Sequence, residues 1–200
     1  MPGVGAYPGT FDPPTVAHLA IAEAALEQGG LARVELVVSA DPLGKQPRAP
    51  TLVDRLAVLE EVAAARSWLS VRVTEDRLIS DIAAGYDAVV VGADKWLQVV
   101  DATWYRSTAE RDLAVAGLPA VLLVPRHPHG AVDLPSTGGG PQGGLTVLDV
   151  DPAHLQVSSS GVRGGRHEWM LPEAAAFDAR TGAWSQPQRY LLLKNREMGS

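Results

Sequence analysis

The chain has 200 residues, 46% of them hydrophobic and 20% charged, enough for one well-packed domain and too few for two comfortable ones. Its formal net charge of -6 argues against non-specific binding to nucleic acid or an anionic membrane, since both reward a positive field. With no cysteine, a disulfide framework, a thiolate metal site and a cysteine nucleophile are excluded, and a reducing, cytoplasmic compartment is expected.

Residues 1–7 lack the basic start and apolar core of a signal peptide. No apolar run approaches the ~20 residues that a membrane-spanning helix needs. Residues 4–7 read as a first strand, followed by a Pro/Gly loop and a helix over 16–28 that stops at Gly29-Gly30. Residues 33–39 form the second strand, and 52–66 an amphipathic helix with Leu52, Leu56, Leu59 and Val62 or Ala63 on one face. Strands over 69–73 and 88–91, a helix over 105–116 and a buried strand over 120–124 follow. Strands alternating with helices at this spacing indicate βαβ units, so the expected fold is α/β, a doubly wound parallel sheet. The Val89-Val90-Val91 and Val121-Leu122-Leu123-Val124 runs suit strands covered on both faces.

Residues 127–144, rich in Gly, Pro and Ser, cannot bury enough apolar surface to offset their ordering entropy, and a surface loop is expected there. Strand character resumes over 145–150. Residues 167–200 read as a helical extension packed on the body formed by 1–166.

Two stretches carry chemistry. The first, Tyr7-Pro8-Gly9-Thr10-Phe11-Asp12-Pro13-Pro14-Thr15-Val16-Ala17-His18, links strand one to helix one, at the carboxyl end of a strand where α/β sheets bind ligands. Gly9 allows close approach of a phosphate. The helix beginning near Thr15 aims its free N–H groups at the same place. Thr15 and His18, three residues apart, share a helix face. The second stretch, Ser158-Ser159-Ser160-Gly161-Val162-Arg163, offers hydroxyls at a helix start and a guanidinium fork one turn later, again suited to an anion. An ordinary helix cap is the bland reading of the serines, and a structural histidine that of His18; their occurrence together favours phosphate binding.

This ordered pair resembles the HxGH and ISSTxxR signatures of the cytidylyltransferase-like nucleotidyltransferase superfamily, over roughly residues 3–166. The resemblance implies a nucleotidyltransferase that moves a nucleoside monophosphate, AMP from ATP above all, onto a small phosphorylated acceptor. It implies a Rossmann-like fold and magnesium accompanying the triphosphate. It places His18 at the triphosphate, backbone groups of Thr10 and Phe11 near the α-phosphate, and Ser158, Ser159, Ser160 and Arg163 on the β- and γ-phosphates. Lys45 matches a phosphate-binding lysine, and Arg55 an arginine common at that point of the pattern; both are candidates for the acceptor side, Lys45 also for catalysis.

Subfamily signals are mixed. Thr15 in place of the first histidine and the triple serine resemble pantetheine-phosphate adenylyltransferases, whose Arg-Gly-Leu-Arg stretch is replaced here by Gly92-Ala93-Asp94-Lys95. Gly92-Ala93-Asp94 with Trp104 resembles nicotinate- and nicotinamide-mononucleotide adenylyltransferases, in which the Gly-Ala-Asp turn lies beside the nucleotide and a tryptophan can stack on a pyridine ring. That group's Ser-Tyr-Thr-x-Asp-Thr segment is absent, and Ala17 replaces the glycine of HxGH. The pyridine mononucleotide is the favoured acceptor; phosphopantetheine, cytidylyl transfer to a sugar or alcohol phosphate, and a non-catalytic nucleotide sensor stay open. A homo-oligomer is compatible with the sequence. A tRNA-handling relative is disfavoured by the acidic balance. Trp96 and Trp169 read as packing residues, and His127, His129, His154 and His167 match no zinc spacing.

Overall fold

A computed structural model describes residues 3–40, 49–125 and 140–198. Its strands are β1 (Gly3–Pro8), β2 (Leu31–Ser39), β3 (Leu69–Thr74), β4 (Ala88–Gly92), β5 (Ala120–Val124) and β6 (Leu145–Val147). They form one all-parallel sheet in the order β3-β2-β1-β4-β5-β6. The helices are α1 (Val16–Gln28), α2 (Leu52–Ala64), α3 (Ile79–Ile82), α4 (Ala93–Val100), α5 (Thr108–Ala116), α6 (Pro152–Leu155), α7 (Ser159–Arg163), α8 (Pro172–Thr181) and α9 (Pro187–Met198).

The alternation of side chains along each strand decides which layer they join. Leu36, Val38, Val90 and Leu122 face one way, into a core with Ala22 and Ala25 of α1 and Leu59 and Val62 of α2. Val37, Val89, Val91, Val121 and Leu123 face the other way, into a second core with Ile79, Ile82, Trp96, Val99 and Val115 from α3, α4 and α5. Burial on both faces is why β4 and β5 read as unbroken apolar runs. A third cluster joins Val58 of α2 and Val162 of α7 to Met170, Ala174, Ala183, Trp184 and Tyr190. Through it the C-terminal helices cover the region where α2 meets the first loop.

Several boundaries differ from the sequence reading. The expected 105–116 helix begins only at Thr108, because the Ser107 side chain caps it by accepting from the Glu110 N–H. The final strand ends at Val147 instead of running to 150. Beyond it, Gln28 of α1 takes both backbone groups of Asp149: Asp149 N–H donates to Gln28 Oε1 at 2.8 Å and Gln28 Nε2 donates to the Asp149 carbonyl at 2.7 Å. The helices α3 and α4 have no counterpart in the sequence reading. Lys45, His127, His129 and most of the Gly-rich loop lie outside the described residues. Among the described residues no helix is long and apolar enough to cross a membrane.

Candidate active site

The strand order places a switch point between β1 and β4, the neighbours from which the chain departs in opposite directions. The loop after β1 and the turn after β4 therefore diverge and leave a cleft between them. Its volume is about 580 Å³, within the ordinary range for a small-molecule site. Pro8, Gly9 and Thr10 form one edge; Asp94, Lys95, Gln98 and Val99 of α4, with Trp104 and Tyr105, form a wall; Arg77, Leu78, Ile79 and Ile82 complete the lining with Val37 and Ser39. Topology has thus brought the first motif and the Gly92-Ala93-Asp94 turn to one place.

The first loop is tightly built. Phe11 takes φ 45°, a left-handed backbone uncommon for a non-glycine residue. Its ring is fully buried, with edge contacts to Tyr7 at 5.5 Å and His18 at 5.0 Å between centroids. Gly9 lies over that ring: a Cβ there would stand 2.7 Å from it. The buried Thr15 caps α1, and its N–H donates to His18 Nδ1 at 3.0 Å. The Thr15 hydroxyl is 2.9 Å from the same nitrogen. A backbone N–H can only donate, so Nδ1 is the acceptor and the ring proton sits on Nε2. His18 is thereby set up as a hydrogen-bond donor pointing away from its own helix cap.

The second motif docks on the first. Ser159 Oγ donates to the Pro13 carbonyl at 2.7 Å. Arg163 Nη1 donates to the Asp12 carbonyl and lies 3.5 Å from Asp12 Oδ2. Its Nη2 reaches Ser160 Oγ at 3.1 Å. Ser158 caps α7 by accepting from Gly161 N–H at 3.1 Å, and a side chain on Gly161 would collide with the Trp169 ring. Trp184 Nε1 donates to Asp12 Oδ1 at 2.7 Å. Arg55 approaches from α2: its Nη1 donates to the Thr10 carbonyl at 2.8 Å. Desolvation lowers the Arg55 pKa, opposed by the charge of Asp12.

Of the residues singled out in the sequence, Gly9, Thr10, Asp94 and Trp104 line the cleft. His18, Phe11, Thr15, Ser159, Ser160, Arg163 and Arg55 do not line the cleft; they gather around the Thr10–Thr15 segment that runs on from its edge, while Gly92 caps α4. Arg55 supports the loop from behind and is not among the cleft-lining residues. The sequence reading missed Arg77, Lys95, Gln98 and Tyr105 as cleft residues, and Trp184 as a partner of the first loop. Lys95 follows the Gly-Ala-Asp turn directly and was open to inference once that turn was seen to start a helix. Nothing in the pattern around Trp184 announces its partner.

The wall is anchored at its far end. Arg111 Nη1 and Tyr105 Oη donate to the Val100 and Val99 carbonyls at 2.6 and 2.8 Å, satisfying groups that the end of α4 would leave open. Asp101 Oδ1 accepts from the Thr103 N–H at 2.9 Å. These bonds fix the short turn that carries Trp104, which is 46% exposed and lines the cleft.

The chain matches the cytidylyltransferase-like family over residues 6–165. It is 31% identical over 192 residues to a Bordetella avium protein named probable nicotinate-nucleotide adenylyltransferase, covering 88% of this chain and 94% of the relative. A Bordetella pertussis protein of the same name is 32% identical over 136 residues, covering 61% of this chain and 68% of the relative. Among solved structures, a Plasmodium falciparum nicotinic acid mononucleotide adenylyltransferase complexed with NaAD matches with a TM-score of 0.69 at 13% identity, covering 92% of this chain and 98% of that one. The same enzyme complexed with APC matches with a TM-score of 0.67 at 12% identity and the same coverage. At such identities the likeness is one of fold.

Proposed function

The chain belongs to the cytidylyltransferase-like family, and from that premise we propose that it transfers the adenylyl group of ATP to nicotinate mononucleotide, releasing pyrophosphate. The observation that carries the reading is the docking of the Ser158–Arg163 turn on Asp12 and Pro13, in the loop that runs on from the Gly9–Thr10 edge of the switch-point cleft. It sets hydroxyl, guanidinium and imidazole donors around one stretch of backbone, as a triphosphate requires. The name of the Bordetella avium relative supports nicotinate mononucleotide as acceptor, and the exposed Trp104 in the cleft wall is in keeping with a pyridine ring there.

In the mechanism, a phosphate oxygen of the acceptor attacks the α-phosphorus of ATP in line. The new P–O bond forms as the bond to the bridging α–β oxygen breaks, and that oxygen leaves with the electron pair as part of pyrophosphate. The acceptor is already an anion, so no general base and no covalent intermediate are needed. His18 Nε2–H donates to oxygen charge that grows at the α-phosphate. Arg163, Ser158, Ser159 and Ser160 hold the β- and γ-phosphates, Asp94 lies beside the nucleotide, and Lys45 and Trp104 serve the acceptor. Magnesium would enter with ATP as part of the substrate, where it would neutralise charge on the triphosphate beside the donors of Arg163, Ser159 and Ser160.

Pyrophosphate release with magnesium tests this, pairing ATP or CTP with nicotinate mononucleotide, nicotinamide mononucleotide, phosphopantetheine and sugar phosphates. Activity with ATP and a pyridine mononucleotide is expected. Activity with phosphopantetheine alone, or with CTP alone, would overturn the acceptor or the base.

A further inference from the structure

We propose that Lys95 reads the carboxylate on the acceptor's pyridine ring and so makes the enzyme select an acid over an amide acceptor. This rests on the adenylyl-transfer reading above and adds to it the residue that sets ring specificity.

Beside Gly9 and Thr10, much of the cleft lining is apolar, with Leu78, Ile79, Ile82, Val99 and Trp104. Lys95 stands in that wall. Its Nζ donates to Gln98 Oε1 at 3.0 Å, one helical turn on, which is a neutral partner. No carboxylate among the described residues forms an ion pair with it. Lys95 is exposed at the cleft surface, and partial desolvation by the wall lowers its pKa. Gln98 brings it no counter-charge, so a ligand that carries an anion supplies one, and a pair shielded between ligand and wall contributes more than one in bulk water.

Two anionic groups of the acceptor could answer. In this reading the acceptor phosphate meets the α-phosphorus beside the Gly9–Thr10 edge, next to the loop on which His18 and Arg163 pack. The ring lies with Trp104, on the wall that α4 and the following turn build together. Lys95 belongs to that wall and not to the loop edge, so the ring carboxylate is its partner. Asp94, its neighbour, and Arg77, across the cleft, are the other charged lining groups. Gln98 holds the ammonium in place without neutralising it.

The test is the ratio of kcat/KM for nicotinate mononucleotide to that for nicotinamide mononucleotide, measured by pyrophosphate release with saturating ATP. It is compared among the parent, Lys95→Met and Lys95→Arg. The methionine keeps the apolar stem at an exposed position, and thermal unfolding checks that each variant is folded. The parent should favour the acid by tenfold or more, the methionine variant should lose at least tenfold of that ratio, and the arginine variant should keep most of it. A ratio unchanged within twofold in Lys95→Met, or a rise confined to the KM for ATP, overturns the assignment while leaving adenylyl transfer intact. A folded parent that turns over neither mononucleotide overturns the acceptor reading and the role of Lys95 with it.

Discussion

The indole Nε1 of Trp184 donates to Asp12 Oδ1 at 2.7 Å, tying the turn between α8 and α9 to the loop that follows the first strand. Trp184 is 2% exposed and packs against Phe177 at 5.8 Å between centroids. The other oxygen of Asp12 faces Arg163 at 3.5 Å. One buried indole therefore orients the carboxylate that in turn meets the Arg163 guanidinium.

Trp184→Phe should accordingly do two things. Losing the hydrogen bond and part of the ring volume should cost about 2–4 kcal/mol of stability, read from urea unfolding. Freed from the indole, Asp12 should hold Arg163 less well, so the KM for ATP should rise severalfold while that for the acceptor stays close to the parent value. Lost stability with an unchanged KM for ATP would make Trp184 a packing residue only.

His18→Ala should lower turnover by about 10²–10³-fold, the usual effect of removing one donor to developing oxyanion charge. ATP affinity, measured by equilibrium binding, should fall by no more than about threefold, because the contact strengthens in the transition state. Equal losses in binding and turnover would reduce His18 to a binding residue.

Much of this arrangement was legible in the chain itself. The apolar runs of β4 and β5 announce strands buried on both faces, and the Pro/Gly run before His18 announces the loop between β1 and α1, because both signals are local. Two kinds of feature were not. The short α3 and the start of α4 carry weak periodicity: Ile79 and Ile82 span one turn, and Gly92-Ala93-Asp94 reads as a turn until Gly92 is seen to cap a helix. Long-range pairings such as Trp184 with Asp12, Arg55 with Thr10 and Gln28 with Asp149 depend on the tertiary fold and leave no spacing to read.

Arg163→Ala should weaken ATP binding by about 10–100-fold, since a bidentate guanidinium contributes charge-assisted bonds of about 1.5–3 kcal/mol. Lys at this position should recover only part of that, because an ammonium cannot hold Asp12 and Ser160 together as the fork does. An unchanged nucleotide affinity in Arg163→Ala would remove it from the triphosphate site.

Gly9→Ala tests the packing under the loop. The new methyl would stand 2.7 Å from the Phe11 ring, and that ring is 1% exposed, with Tyr7 and His18 on its edges. The ring cannot yield without disturbing His18. The overpacking should cost about 1–3 kcal/mol, and turnover should fall even where the variant stays folded. Full activity in a folded Gly9→Ala protein would mean that the loop has room the geometry denies it.

The docking of α9 on α2 should depend on pH through Asp54. Burial acts to raise its pKa, but the Tyr190 hydroxyl, which donates to Oδ2, and Lys194, whose Nζ lies 3.1 Å away, outweigh that and leave the pKa below the ordinary carboxylate value. A carboxylate with a depressed folded pKa contributes stability that is fully present above its unfolded pKa of about 3.9 and is lost as pH falls through the folded value. Lys194 acts in the opposite sense: hydrogen bonds to Glu197 and Asp54 raise its pKa, so its contribution holds below about 10.4 and is lost as pH rises through the folded value. Urea midpoints of Asp54→Asn and the parent should therefore differ most between about pH 5 and 9 and converge in acid, where the parent's carboxyl is also neutral. A gap of constant size down to about pH 2 would show that the asparagine acts through packing and not through the lost charge.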